Sequence, residues 1–281
     1  MILKNNEKPK ILLACTFREF DGGGNDDIQR IFLSSLKDQT FKELELVITT
    51  FSEKKVKEVV ESYRLNQKVF KGSVNRKKRY SQTQVLLNAI SEAKKNPDVE
   101  YIIWTTVDIK FPSNFLEEIF RRDFIQNTCA TIHPTNKKGF FEKRLSEGFD
   151  FLLFDARTLI KAEEDIRKYT IEGWGIIEHF LIAVATKYRM NLVNLYPQIK
   201  IIKMENDRVQ GGQTPSWILK SYWENRANLD RYLKDNALSL RFNNLFYCHN
   251  LFSPWKTFPS LGDLFERGKF ELLLLKNRIS R

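Results

Sequence analysis

Short apolar runs alternate with amphipathic stretches through the first 120 residues of the chain. "ILLACTF" (11–17) and "LELVITT" (44–50) have the length and β-branched content of buried strands, and "NDDIQRIFLSSLKDQT" between them places Ile28, Ile31, Phe32 and Leu36 on one helical face. "EKKVKEVVESY" reads as a second helix, "QKVF" as a short strand, "SQTQVLLNAISEAKK" as a third helix and "EYIIWTTV" as the next strand. Strand and helix in strict alternation predict an α/β fold, a mostly parallel sheet flanked by helices, with ligands gathered at the carboxyl ends of the strands.

Beyond about residue 128 the pattern becomes mixed. Candidate strands stand at "CATIH", "DFLLF" and "PQIKIIK", with a helix across "IIEHFLIAVATKY". The stretch "HPTNKKGFFEKRLSEG" between them reads as a long basic loop, a functional lid rather than a connector. From Gln213 the chain reads as helix rich in aromatics, with Ile218, Tyr222, Leu229 and Leu233 spaced for one face. No repeat or low-complexity tract interrupts it.

One strand ends in an unusual way. "YIIWTTVDIKFPSNF" runs from β-formers into a carboxylate, Asp108, before turning at Pro112 into a new helix. A buried strand finishes on a charge where its carboxyl end opens into a site that supplies a partner. Some 70 residues downstream, "IEGWGIIEHFL" offers a glycine turn around Trp174 followed by Glu178 and His179 at a helix start. A carboxylate and an imidazole in that position can supply a general base or a metal ligand.

Composition narrows the field. No apolar run approaches the roughly 20 residues that cross a bilayer, and "MILKNNEKPK" lacks the apolar centre of a secretion signal, so a cytoplasmic location is expected. Cys15, Cys129 and Cys248 are far apart and make neither a disulfide framework nor a zinc motif; buried thiols are expected. The formal net charge of +11 favours an anionic partner: nucleic acid, anionic lipid or a phosphorylated substrate. Acids are interspersed with the bases and no nucleic-acid recognition motif occurs, so nucleic acid is not the expected partner.

The glycines of "FREFDGGGNDDIQ" follow a strand and open a helix, the setting of a phosphate cradle. Asp27 stands where a dinucleotide fingerprint has its third glycine, and Asp26 and Asp27 would repel an anion while suiting a helix start. A flexible turn before a capped helix is the expectation.

Taken in order, these segments resemble the GT-A nucleotide-sugar glycosyltransferases, in particular the family 2-like group. "FLSSLKDQTFKELELVITT" is similar to that family's helix, Q-T-[YF] turn and second strand. "YSQTQVLLNAISEAKK" resembles its third helix, with Asn88 before Ala89. "WTTVDIKFPSNFLEEIF" resembles the strand bearing the D-x-D motif, and "EGWGIIEHFL" the glycine-tryptophan turn with an E-D pair. The likeness spans roughly residues 10 to 205.

The resemblance implies a catalytic domain over 1–212, with a donor-binding part over about 1–110 and an acceptor part over about 111–212. Residues 213–281 then form a helical C-terminal extension packed on it. It implies transfer of a sugar from a nucleotide-diphosphate donor to an acceptor hydroxyl, with inversion, in surface-polysaccharide or lipid-linked glycan synthesis. Thr16, Arg18, Thr49, Thr50, Asn88, Thr106 and Asp108 would face the donor, Asp108 holding a divalent cation, Mn2+ or Mg2+. Trp174 and Gly175 would meet the glycan or lipid-linked acceptor, and Glu178, with His179 as the alternative, would accept the hydroxyl proton.

The sequence departs from the family pattern where acids matter. Thr106 replaces the first Asp of D-x-D, His179 the second member of the E-D pair, and Thr49 and Thr50 the acids after the second strand. The family's later metal-binding His has no counterpart, with only Glu205 and Asn206 near its place, and Lys143 or Arg144 of the basic loop offers another way to neutralise phosphate. Trp174 suits a core position or a flat face for a sugar ring. His249 reads as a packed core histidine. The leucines and bases of "LGDLFERGKFELLLLKNRISR" suit either packing on the domain or docking on an anionic membrane surface. The missing acids also keep open an inactive GT-A-like binding module.

Overall fold

The computed structural model describes residues 8–72, 81–121, 127–132, 135–138, 141–144, 150–172, 177–195, 199–204 and 216–238, with backbone alone at 24–25, 135–138, 141–144 and 216–223. The expected alternation is present in order: β1 (Lys10–Thr16), α1 (Gly24–Lys37), β2 (Leu44–Thr50), α2 (Glu53–Ser62), β3 (Gln67–Lys71), α3 (Gln82–Lys95) and β4 (Val99–Thr105). There follow β5 (Ile109–Lys110), α4 (Phe115–Phe120), β6 (Thr128–Thr131), a hairpin of β7 (Thr135–Lys138) and β8 (Phe141–Arg144), and β9 (Phe151–Asp155). The remainder is α5 (Ala156–Lys161), α6 (Glu163–Lys168), α7 (Ile177–Lys187), β10 (Asn191–Asn194), β11 (Ile202–Lys203) and α8 (Ser216–Asp235).

Among the described residues, a seven-stranded sheet runs β10-β6-β9-β4-β1-β2-β3. All its pairings are parallel except those of β9, which runs antiparallel to both β4 and β6. A four-stranded sheet, β5-β11-β7-β8, stands beside it. The fold is thus α/β, a mostly parallel sheet flanked by helices, of the GT-A, Rossmann-like kind.

Successive strand residues face opposite sides, so each strand feeds two cores. Leu12, Ala14, Ile102, Trp104, Leu152 and Phe154 join α3, α5, α6, α7 and α8 on one side. Ile11, Leu13, Cys15, Ile103, Phe151 and Leu153 join α1, α2 and α4 on the other. The middle of helix α7 is apolar all round, and Phe180, Leu181, Ile182, Ala183, Val184 and Ala185 are all fully buried in one core with the sheet and α8. Cys15 and Cys129 are buried free thiols, as expected; Cys248, like His249, lies outside the described residues.

Two expectations are corrected. Helix α1 does not bury Ile31, which is 41% exposed; its inward face is Gln29, Phe32, Leu33 and Leu36. Gln29 sits where an apolar residue was expected because its Oε1 accepts the Arg18 amide at 2.7 Å, a polar contact that fixes the loop after β1. The stretch read as one long basic loop carries the β7–β8 hairpin instead, its register pairing Thr135 with Arg144 and Lys138 with Phe141. A strand at Asn191–Asn194, too polar to be noticed, closes the far edge of the large sheet.

Helix α8 is held to the domain by polar contacts as well as by Leu229, Tyr232 and Leu233. Asn225 exchanges hydrogen bonds with the backbone of Glu172 at 3.0 and 2.8 Å, and Tyr169 donates to Asp235 at 2.6 Å. Ile218 and Tyr222 fall among the residues whose side chains are not described.

Candidate functional site at the carboxyl ends of the strands

The Q-T turn after α1 fixes the mouth of β4. Gln39 donates from Nε2 to the Pro112 carbonyl at 2.7 Å and accepts the Leu116 amide at Oε1 at 3.2 Å, and the Thr40 amide donates to the Ser113 carbonyl at 2.9 Å. One buried side chain thereby holds both the Pro112 turn and the first turn of α4, where helix amides otherwise lack partners. Below it, the rings of Phe111, Phe115 and Phe151 pack with centroids 4.6, 5.3 and 6.2 Å apart. The segment 106–110 is thus set on a rigid apolar base.

On that base stands a charged cluster. The antiparallel register of β4 and β9 sets Thr105 opposite Phe151, so Asp150, the residue before β9, lies at the carboxyl end of β4. Its carbonyl accepts from the Thr106 amide at 3.1 Å and from Thr105 Oγ1 at 2.8 Å. Strand β11 pairs with β5, Lys203 opposite Ile109, and the Met204 amide donates to the Asp108 carbonyl at 2.7 Å. That pairing delivers Lys203 between the acids: its Nζ lies 2.9 Å from Asp108 Oδ2 and 2.9 Å from Asp150 Oδ1. All three side chains are largely shielded, at 22%, 16% and 11% exposure for Lys203, Asp108 and Asp150.

The electrostatics of the cluster are mutual. Burial pushes the Asp150 carboxyl upward, with Lys203 opposing and Asp108 adding to the rise. Burial alone would depress the Lys203 ammonium, but the Asp150 and Asp108 carboxylates outweigh it and hold the lysine charged. Glu178, at the start of α7, belongs to the same field: burial first, and then the Asp150 charge, raise its carboxyl from the ordinary 4.5 to about 7, with its own backbone amide and Lys203 pulling the other way. Glu178 thus lies within electrostatic range of Asp150 and Lys203, the residues that form the cluster with Asp108.

His179 does not share that environment. Adjacent residues on a helix diverge by about 100°, and the charged neighbour of His179 is Arg226 of α8. The imidazole is buried, and among the described residues neither nitrogen has a hydrogen-bond partner. Burial, and secondarily Arg226, push its pKa down to about 4, which keeps it neutral near pH 7.

The residues expected at the donor side fall at the ends of β1 and β2. Thr49 is buried and its Oγ1 accepts from Asn88 Nδ2 at 2.9 Å; the Asn88 amide is itself oriented by Gln84 at 2.8 Å. Thr50 is buried, its Oγ1 accepting the Ser52 amide at 3.2 Å. Thr16 is half-buried at the end of β1 and Arg18 is exposed just beyond it. Asp26, from the first turn of α1, accepts the Gly22 amide at 2.6 Å, and Gly22 takes a positive φ of 88° there. The expected capped helix is corrected: Gly23 is the N-cap with no side-chain cap hydrogen bond, because Asp26 turns back to close the glycine turn instead.

Trp174, Gly175, Glu205 and Asn206 lie outside the described residues, and Lys143 and Arg144 are described in backbone alone. Asp150 and Lys203 were not anticipated. The available signal was an acid directly before "FLLF", which becomes part of the β4 mouth once that strand is recognised as antiparallel to β4.

No family model matches the chain, and no curated protein matches it. Among solved structures, the fold is similar to a mannosyltransferase from Pyrobaculum calidifontis in complex with GDP-Man and Mn2+, with a TM-score of 0.51, 10% identity, and coverage of 98% of this chain and 83% of that one. It also matches 4-diphosphocytidyl-2C-methyl-D-erythritol synthase from Anaerococcus prevotii at a TM-score of 0.45 and 14% identity, over 66% of this chain and 87% of that one. At 10% identity the likeness to the mannosyltransferase shows the fold alone.

Proposed function

We propose that the chain is a glycosyltransferase that moves a sugar from a nucleoside-diphosphate donor to an acceptor hydroxyl. The observation that supports this reading is the Asp108–Lys203–Asp150 cluster at the end of β4, with Glu178, its carboxyl raised to about 7, in electrostatic range of Asp150 and Lys203. A base that titrates near neutrality can take a proton at working pH and return it afterwards. Glu178 would accept the acceptor's hydroxyl proton as that oxygen bonds to the anomeric carbon and the bond from that carbon to the diphosphate breaks, with inversion at the carbon. Thr16, Arg18, Thr49, Thr50 and Asn88 line the approach at the ends of β1 and β2, the crevice where sheets of this kind take nucleotides.

Residues 1–212 would form the transferase domain, and the part beyond them an extension of which α8 is the start. The charge of +11 suits the diphosphate donor and a lipid-linked or glycan acceptor at an anionic membrane surface. No helix among the described residues is long and apolar enough to cross a membrane.

A bound divalent cation would supply charge neutralisation for the departing diphosphate. The donor set here suits one poorly. The two carboxylates that could share a metal ion share the Lys203 ammonium instead, and no group of three His, Cys, Asp or Glu converges among the described residues.

Release of nucleoside diphosphate from a panel of nucleotide sugars, assayed with glycan and lipid-linked acceptors, tests the reading. Glu178→Gln is expected to lower turnover by about 10²–10⁴-fold while leaving donor affinity within about twofold. Turnover within a few-fold of wild type would move the base to His179 or another group.

A further inference from the structure

The position that a bridging metal ion would take between two carboxylates is already filled by a side chain. Lys203 reaches it from β11, a strand bonded to Asp108 itself through the Met204 amide and to the two residues after it through the β5 pairing, so the ammonium is tethered to the loop it neutralises. An ammonium has three N–H donors. Asp108 and Asp150 take two at 2.9 Å each, which leaves the third for an anion entering at the end of β4.

We propose that Lys203 is the cation of this site: held between Asp108 and Asp150, its ammonium meets the diphosphate in place of a divalent metal. This rests on the reading that the cleft takes a nucleoside diphosphate, and it assigns to a lysine the positive charge that the D-x-D pattern draws from a metal ion. Two acids then serve to position a lysine, where the sequence pattern implied that an acid positions a metal. Thr106, whose Oγ1 lies 3.4 Å from Asp150 Oδ1, completes the frame as a neutral group, and a second aspartate there would add an uncompensated negative charge beside a single ammonium.

Two titrations of the full-length chain test this. Paramagnetic resonance of Mn2+ alone should show no site tighter than millimolar in wild type, and a new site in Lys203→Met, where the Asp108–Asp150 pair is released. Calorimetry with UDP and GDP in EDTA should give wild-type affinities equal to those in Mn2+, and a loss of roughly tenfold or more in Lys203→Met, the scale of one charged hydrogen bond. Added Mn2+ should recover that loss. Lys203→Arg, which keeps the charge, should retain binding in EDTA and guards against a methionine variant that fails to fold. Micromolar Mn2+ binding by wild type, or UDP and GDP affinity abolished by EDTA, overturns the proposal. If wild type binds no nucleotide in either condition, the transferase reading fails, and the Mn2+ titration still decides whether lysine or metal holds the acids.

Discussion

The mouth of the sheet has two unlike halves. At the ends of β1 and β2 the shielded groups are neutral: the Thr49 and Thr50 hydroxyls and the Asn88 amide, which donates to Thr49 at 2.9 Å and is oriented by Gln84 at 2.8 Å, with Arg18 exposed just beyond. At the end of β4 they are ionic, with Asp108, Asp150, Lys203 and Glu178 in one field. Neutral groups with fixed hydrogen bonds can recognise a ligand's edges without changing state, whereas a cluster of shielded charges is where protons and developing charge are handled. The division implies that the neutral half holds the nucleoside while the ionic half meets the diphosphate and handles the proton, so substitutions in the neutral half should change affinity and leave rate.

The largest effect should come from pH. Because Glu178 is raised to about 7, its base form is lost below that value. Transfer is expected to rise about tenfold per pH unit up to near pH 7 and to level off above it, measured as nucleoside-diphosphate release at saturating donor. The same shift has a stability sign. The folded state binds this proton more tightly than the unfolded chain, so the Glu178 contribution to stability is full below about 4.5 and falls as pH rises through 7. A rate that stays flat from pH 5 to 8 would erase the ionic half's distinction.

Next is Asp150→Asn. It removes one of the two carboxylates on a shielded lysine and should destabilise the fold by about 1–3 kcal/mol in urea unfolding. Asn88→Ala, on the neutral side, should be the mildest. It deletes one neutral hydrogen bond to Thr49, about 1 kcal/mol, and should raise the donor's KM several-fold with kcat unchanged. A change in kcat there would blur the two halves into one.

How much of this was readable in the sequence follows the same line. The β1-to-β4 alternation is local information: each strand is a continuous apolar run and each helix carries its own period, so the architecture is legible from 11–17, 44–50 and 100–107. Where a polar residue took a core position, as Gln29 does, the apolar pattern slid by one residue and placed Ile31 on the wrong face. Asp108 and Glu178 stood out because each interrupts or begins an apolar element. Asp150 and Lys203 did not, since their proximity comes from two antiparallel pairings, β4 with β9 and β5 with β11, that no local pattern encodes. The pairing of β7 with β8 was hidden in the same way by its basic composition.

The most direct test is a crystal structure of the protein with a nucleoside diphosphate. The account predicts a phosphate oxygen within about 3 Å of Lys203 Nζ, with the nucleoside toward Thr49 and Asn88 and Glu178 across the cleft from the terminal phosphate. A diphosphate seated away from the end of β4, or a metal ion between Asp108 and Asp150 with Lys203 turned out, would contradict it.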